Sequence, residues 1–196
     1  RNLMFTNQLI PNNTFTVINT PLGYYVSINK QVKNNLFNNL DIELSDHDLY
    51  ETHRIQSGIP DYEKDLGELY NPLEANLHSH FGKNYEYSKR RPIGTDFIGK
   101  DALFTKTGVF RKFNKTRVMM YSCGKGLIPP EGSNIYVNSK KIGTVTSSTS
   151  SSYLKCIIAM GFIDLKKTFN TNSFSLAREM VQKVEINGNE YVIRFI

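Results

Sequence analysis

At 196 residues, with 39% hydrophobic and 21% charged side chains and a net charge of +6, the chain has the make-up of a globular protein with a substantial core. That excludes disorder throughout, and no apolar run approaches the roughly 18 residues a membrane helix needs. The two cysteines, Cys123 and Cys156, are isolated and lack CxxC partners, which argues against a zinc site or disulfide framework and for free thiols in a reducing compartment.

The chain opens at Arg1 and not at Met, which leaves room upstream for a presequence or a further domain. Residues 14–28 read as a β-hairpin, in which Thr14–Ile18 and Tyr24–Ile28 flank a turn over Thr20-Pro21-Leu22-Gly23. Lys30 to Leu40 predicts a helix, with Val32, Leu36, Phe37 and Leu40 on one face. A second helix is predicted from Ser45, as N-cap, with Asp46 and Asp48 favoured by the helix N-terminus. It should stop at Gly58, which tolerates positive φ, and Pro60 forbids continuation.

Residues 66–95 form a crossing region with a turn at Asn71-Pro72 and a polar run from Lys83 to Thr95. Asp96 should cap a short helix at the start of a second body. From Arg117 onward the pattern is all-β. Val118–Tyr121 and Ile157–Ile163 read as strands, the latter weakened by Gly161. Ile135–Val137 pairs with Ile142–Thr146 across a four-residue loop, Asn138 to Lys141. Val184–Ile186 pairs with Glu190–Ile193 across Asn187-Gly188, a strong hairpin signal. The Ser and Thr run Ser147–Ser152 lacks the glycines and lysine of a P-loop and reads as a flexible turn.

Charge is unevenly spread. Asp41 to Glu74 holds ten acids against Arg54 and Lys64, and Lys83 to Arg117 holds ten bases against Glu86, Asp96 and Asp101. Such a basic run with interleaved Tyr and Phe fits an acidic partner, a nucleic acid or a solvated face, and no nucleic-acid motif accompanies it. His78 and His80 with Glu74 are spaced too loosely for a metal site, and none is expected.

Two motifs carry a family resemblance. The stretch His53-Arg54-Ile55-Gln56-Ser57-Gly58 to Asp65, followed by Asn71-Pro72-Leu73-Glu74-Ala75, resembles the aminomethyltransferase (T-protein) of the glycine cleavage system. The segment Lys141 to Ser147, with Ser150 to Leu154 and Ile158-Ala159-Met160-Gly161-Phe162, is similar to the C-terminal barrel of that family. Folate-binding iron–sulfur assembly proteins share the first motif, but they carry a Cys-containing motif where this chain has Asp96 to Asp101. The resemblance runs from Ser45 to the end of the barrel.

It implies an α+β fold: a partial folate-binding α/β domain over residues 1–94, then a C-terminal antiparallel β-barrel over residues 95–196. It implies transfer of a methylene group from an aminomethyl-lipoyl carrier to tetrahydrofolate with release of ammonia. It also implies a lipoylated H-protein as partner, a mitochondrial location and a monomer, with no nucleic acid and no membrane. The family's catalytic aspartate lies in an N-terminal part with no counterpart here, so no catalytic residue is visible and the chain alone is expected to be inactive. Tyr50 stands where the family has a folate-contacting arginine, and Gln56 replaces its Glu. The substrate-binding candidates are Tyr50, Arg54 and Asp65. Tyr50 and Arg54 are one helical turn apart on one face, where Tyr50 could stack on folate and Arg54 take its glutamate tail. Alternatively, Arg54 ties the helix end to Asp65 or Glu74. Two other readings stay open: an iron–sulfur assembly factor, or a non-catalytic interaction module on the same fold.

Overall fold

The computed structural model describes residues 5–6, 9–10, 13–14, 16–20, 23–29, 45–77, 85–86, 91–92, 97–107, 110–124, 126–170, 177, 180 and 182–195. These residues group into two compact units, 1–57 and 58–196.

The first unit starts with short strands β1 (Phe5–Thr6), β2 (Leu9–Ile10), β3 (Asn13–Thr14), β4 (Thr16–Thr20) and β5 (Gly23–Ser27). β1, β4 and β5 make one antiparallel sheet, with Thr16 opposite Ser27 and Thr20 opposite Gly23. The predicted hairpin is therefore present, closed where Gly23 takes φ +122°. The helix predicted over 30–40 lies outside the described residues. Helix α1 (His47–Gln56) follows, and its N-cap is Asp46, one residue later than expected. The Asp46 carboxylate accepts from Leu49 N–H at 2.9 Å, the reach an N-cap side chain has to the third helical residue. The helix ends as predicted. Ser57 N–H donates to His53 C=O, and Gly58 takes φ +69°.

The second unit opens with one wide π-type turn, Tyr62–Leu66, capped by Asp61, whose carboxylate accepts from Glu63 and Lys64 N–H. At Asn71 the side-chain oxygen accepts from Leu73 and Glu74 N–H, so the expected turn is an Asx turn. Strands β6 (Tyr85–Glu86) and β7 (Arg91–Pro92) pair with each other. Helix α2 (Lys100–Leu103) starts at Gly99 without a side-chain cap, and Asp96 lies outside the described residues.

The remaining strands are β8 (Lys115–Ser122), β9 (Asn134–Val137), β10 (Lys140–Ser151), β11 (Cys156–Asp164), β12 (Lys183–Ile186) and β13 (Asn189–Phe195). They close into an antiparallel barrel in the order β10-β11-β8-β13-β12-β9, and helix α3 (Leu165–Phe169) follows β11. The α+β class with a C-terminal barrel is as the sequence predicts. Alternate residues fill the interior: Val118 and Met120 on β8, Ile157, Ala159 and Ile163 on β11, Val184 and Ile186 on β12, Tyr191 and Ile193 on β13. The Asn187-Gly188 turn, with φ +50° and +78°, forms as expected.

Four expectations are corrected. The β9–β10 loop has two residues, not four, because Asn138 and Ser139 both take positive φ and the ladder starts at Lys140 opposite Val137. The Ser and Thr run is strand and not a flexible turn: β10 continues to Ser151, with Thr146, Ser147 and Ser151 buried. Gly161 does not weaken β11. A Cβ there would stand 2.4 Å from the Thr144 carbonyl oxygen, so the close strand approach requires glycine. Finally, Cys123 and Cys156 are not free thiols but a disulfide with a Cα separation of 4.2 Å. The antiparallel register pairs Ser122 with Ile157, and one step further it sets the two cysteines opposite each other. Spacing in the sequence carries no trace of that register.

Candidate functional site

Tyr50 and Arg54 sit one turn apart on α1. Arg54 is buried and forks onto the Glu51 carboxylate of the preceding turn, with Nε to Oε1 and Nη2 to Oε2 both at 2.9 Å. A two-pronged pair of this kind fixes the guanidinium plane. Tyr50 is half exposed. Its hydroxyl makes a short hydrogen bond with that of Tyr25 on β5, and the two rings meet edge to face with centroids 6.4 Å apart. His47 stacks on Tyr50 at 6.0 Å. The bond to Tyr50, and then burial, push the Tyr25 hydroxyl up to about 12, so that hydroxyl stays protonated across the neutral range. Together these rings form a half-wet aromatic cluster with hydroxyl groups at its edge, of which Tyr50 and His47 lie roughly parallel. Tyr25 and His47 were not singled out in the sequence. The alternation of Tyr24-Tyr25 in a hairpin strand was the available signal.

Asp65 lies in the second unit and is fully buried. Its Oδ1 accepts from Thr146 Oγ1 at 2.5 Å and Ser147 Oγ at 2.8 Å, and its Oδ2 accepts from Asp61 N–H at 2.9 Å. Two consecutive β10 residues reach one carboxylate oxygen because β10 carries a bulge there: Val145 pairs with Gly161 and Ser147 with Met160, leaving Thr146 as the extra residue. A regular strand would aim only one of the two hydroxyls outward.

Arg117 secures the other end of the same segment. From the outer wall of β8 it donates Nη1 to Gly58 C=O at 2.9 Å and Nε to Ala75 C=O at 3.1 Å. Its backbone N–H donates to Glu74 C=O, and its own C=O accepts from Asn76 Nδ2. Tyr70 stacks flat on Phe162 of β11, with centroids 3.4 Å apart and planes within 2°. Residues 58–77 are thus strapped along the outside of β8, β10 and β11, and Asp65 is a buckle of that strap. Sequence reasoning missed Arg117, Thr146 and Ser147, since isolated polar residues in a strand give no hint of a distant carboxylate. Among the described residues no group of three His, Cys, Asp or Glu could hold a metal ion, and His78 and His80 lie outside them.

Residues 115–195, the barrel with its α3 excursion, match the family model described as the glycine cleavage T-protein C-terminal barrel domain. The barrel is similar to that of the T-protein family. Curated relatives point the same way. The chain is 36% identical over 118 residues to an aminomethyltransferase of Caldanaerobacter subterraneus, covering 59% of this chain and 28% of that one. It is 31% identical over 123 residues to the aminomethyltransferase of Aquifex aeolicus, covering 63% and 31%. The chain therefore spans about a third of the length of the curated relatives it matches. The crystal structure of glycine cleavage system aminomethyltransferase T from Bartonella henselae shares the fold with a TM-score of 0.62 at 15% identity, over 91% of this chain and 47% of that one.

Proposed function

We propose that this chain is part of an aminomethyltransferase that passes a methylene group from an aminomethyl-lipoyl carrier to tetrahydrofolate and releases ammonia. The carrying observation is the T-protein barrel over residues 115–195, shared with relatives that are named aminomethyltransferases. In this reading the protein's task is to hold folate against the carrier's lipoyl arm and to stabilise charge as it develops. Tyr50, backed by Tyr25 and His47, stacks on the folate ring system. Arg54, held by Glu51, receives the carboxylate of the glutamate tail. Asp65, held by Thr146 and Ser147, positions the 58–77 strap. We further propose a lipoylated H-protein as partner and a mitochondrial location for the pair, which pull-down and cell fractionation test. In this reading the catalytic aspartate lies in a part of the enzyme outside these 196 residues, which alone should bind tetrahydrofolate without turnover.

Calorimetric titration of the chain with tetrahydrofolate tests the reading. Arg54→Ala should weaken binding about tenfold, the worth of a charge-assisted hydrogen bond, with a smaller effect on melting temperature. Intact folate binding with a large fall in melting temperature would remove Arg54 from the site. A second reading, a non-catalytic interaction module, draws on the burial of Arg54 and its fork onto Glu51, which leave a ligand fewer donors. Failure of the chain to bind tetrahydrofolate at all would favour it.

A further inference from the structure

We propose that a groove at one end of the barrel, flanked by Lys115, Lys141 and Lys167, binds a small phosphorylated ligand that carries a flat ring, a nucleoside phosphate in class. The groove has a volume of about 290 Å3 and is lined also by Tyr70, Thr144, Phe162 and Asp164. It forms because β8 begins, β11 ends and α3 starts at the same place. The ladder pairs Lys115 with Asp164 and Gly143 with Ile163, so Lys141 at the start of β10 and Lys167 in α3 fall on either side.

Charge is the first argument. Three lysines line the groove with one carboxylate, and that carboxylate is engaged: Asp164 Oδ1 accepts from the backbone N–H of Lys167 at 2.8 Å, while the charge of Glu74 lies near Tyr70. Among the described residues none of the three lysines has an ion-pair partner. Like charges gathered in a concave site repel one another and raise the local concentration of anions. Lysines bind phosphate as mobile point charges, so they need no preset fork.

Shape is the second argument. Tyr70, stacked flat on Phe162, forms a planar wall, with Lys115 Nζ 5.4 Å from its ring centroid. A wall of this kind stacks a heterocycle while the ammonium groups hold a phosphate. Burial and the nearby Glu74 charge raise the Tyr70 pKa, so its hydroxyl stays a donor. The volume suits a molecule of nucleotide size, and an extended polymer would need a longer track.

The test uses the whole chain at low salt, with ADP, AMP, pyrophosphate and adenosine as probes in NMR titrations. ADP should bind tightest and adenosine weakest, and the affinity for ADP should fall as salt is raised. The double variant Lys141→Ala/Lys167→Ala removes only exposed side chains. It should keep its melting temperature and lose about tenfold in ADP affinity, since each solvent-exposed contact is worth little. Tyr70→Leu should weaken ADP and leave pyrophosphate unchanged. Equal binding of ADP by wild type and the double variant, or binding of neither ADP nor pyrophosphate, would overturn the proposal. ADP binding no better than pyrophosphate would overturn the flat-ring class.

Discussion

Inside the barrel the strands present Val118, Met120, Ile157, Ala159, Ile163 and Ile193, side chains that ask only for volume and shape. On the outer wall the same strands present Arg117, Thr146 and Ser147, also buried, which ask for partners as well. The strap over 58–77 supplies them, through Gly58 and Ala75 carbonyls and the Asp65 carboxylate. The interior has one exception: the Tyr191 hydroxyl is buried with no hydrogen-bond partner among the described residues. Burial raises its pKa. The contrast shows where directional chemistry was needed. An interior closed by six strands is held by packing, whereas an irregular segment laid across a wall must be fastened at named atoms.

The largest effect should come from the link that serves both walls. Reducing the Cys123–Cys156 bridge opens a loop of 33 residues and should cost about 3–4 kcal/mol if the chain-entropy model holds. Urea unfolding with and without reductant reads this directly. Asp65→Ala breaks the outer wall alone. It strips the acceptor from two buried hydroxyls and one N–H and should cost about 3 kcal/mol. Hydrogen exchange should then rise over residues 58–77 and stay low in β11. Uniform exchange across both would show that the strap is not a separate layer. Gly161→Ala attacks the β10–β11 seam, where the new methyl group meets the Thr144 carbonyl, at a cost of about 2 kcal/mol. The smallest effect sharpens the contrast: Tyr191→Phe removes a hydroxyl without a partner and should leave stability within about 0.5 kcal/mol of wild type, or raise it. A loss of 2 kcal/mol or more would mean that the interior too holds a polar contact.

The barrel was legible because its strands obey local rules. Asn187-Gly188 announces a hairpin, and the unbroken apolar run Ile157 to Ile163 belongs to a strand buried on both faces, since Ile158, Met160 and Phe162 on the outer wall are as buried as the interior set. Helix α1 was legible from its acidic start and Gly58. What could not be read depends on register between distant strands. The disulfide needs Cys123 to arrive opposite Cys156, and the role of Asp65 needs an irregularity 81 residues away. The sequence marked Asp65 as a candidate ligand residue by motif, and the hydroxyls around it show the tether. Arg54 and Tyr50 were placed correctly on one helix face, but their immediate partners, Glu51 and Tyr25, follow from side-chain geometry that spacing does not fix.

The bulge at Thr146 has a consequence for how this barrel can change by descent. In a regular strand, losing one residue turns everything beyond it inside out, so strand lengths are normally frozen. Here Val145 faces in, Thr146 and Ser147 both face out, and the ladder resumes with Ser148 opposite Ala159. Removing Thr146 would leave every other β10 residue on its own side and forfeit one hydroxyl to Asp65. Relatives one residue shorter at this point can therefore keep the same barrel, whereas a gap of one within the regular run Ser147–Ser151 would turn the residues beyond it to the wrong side.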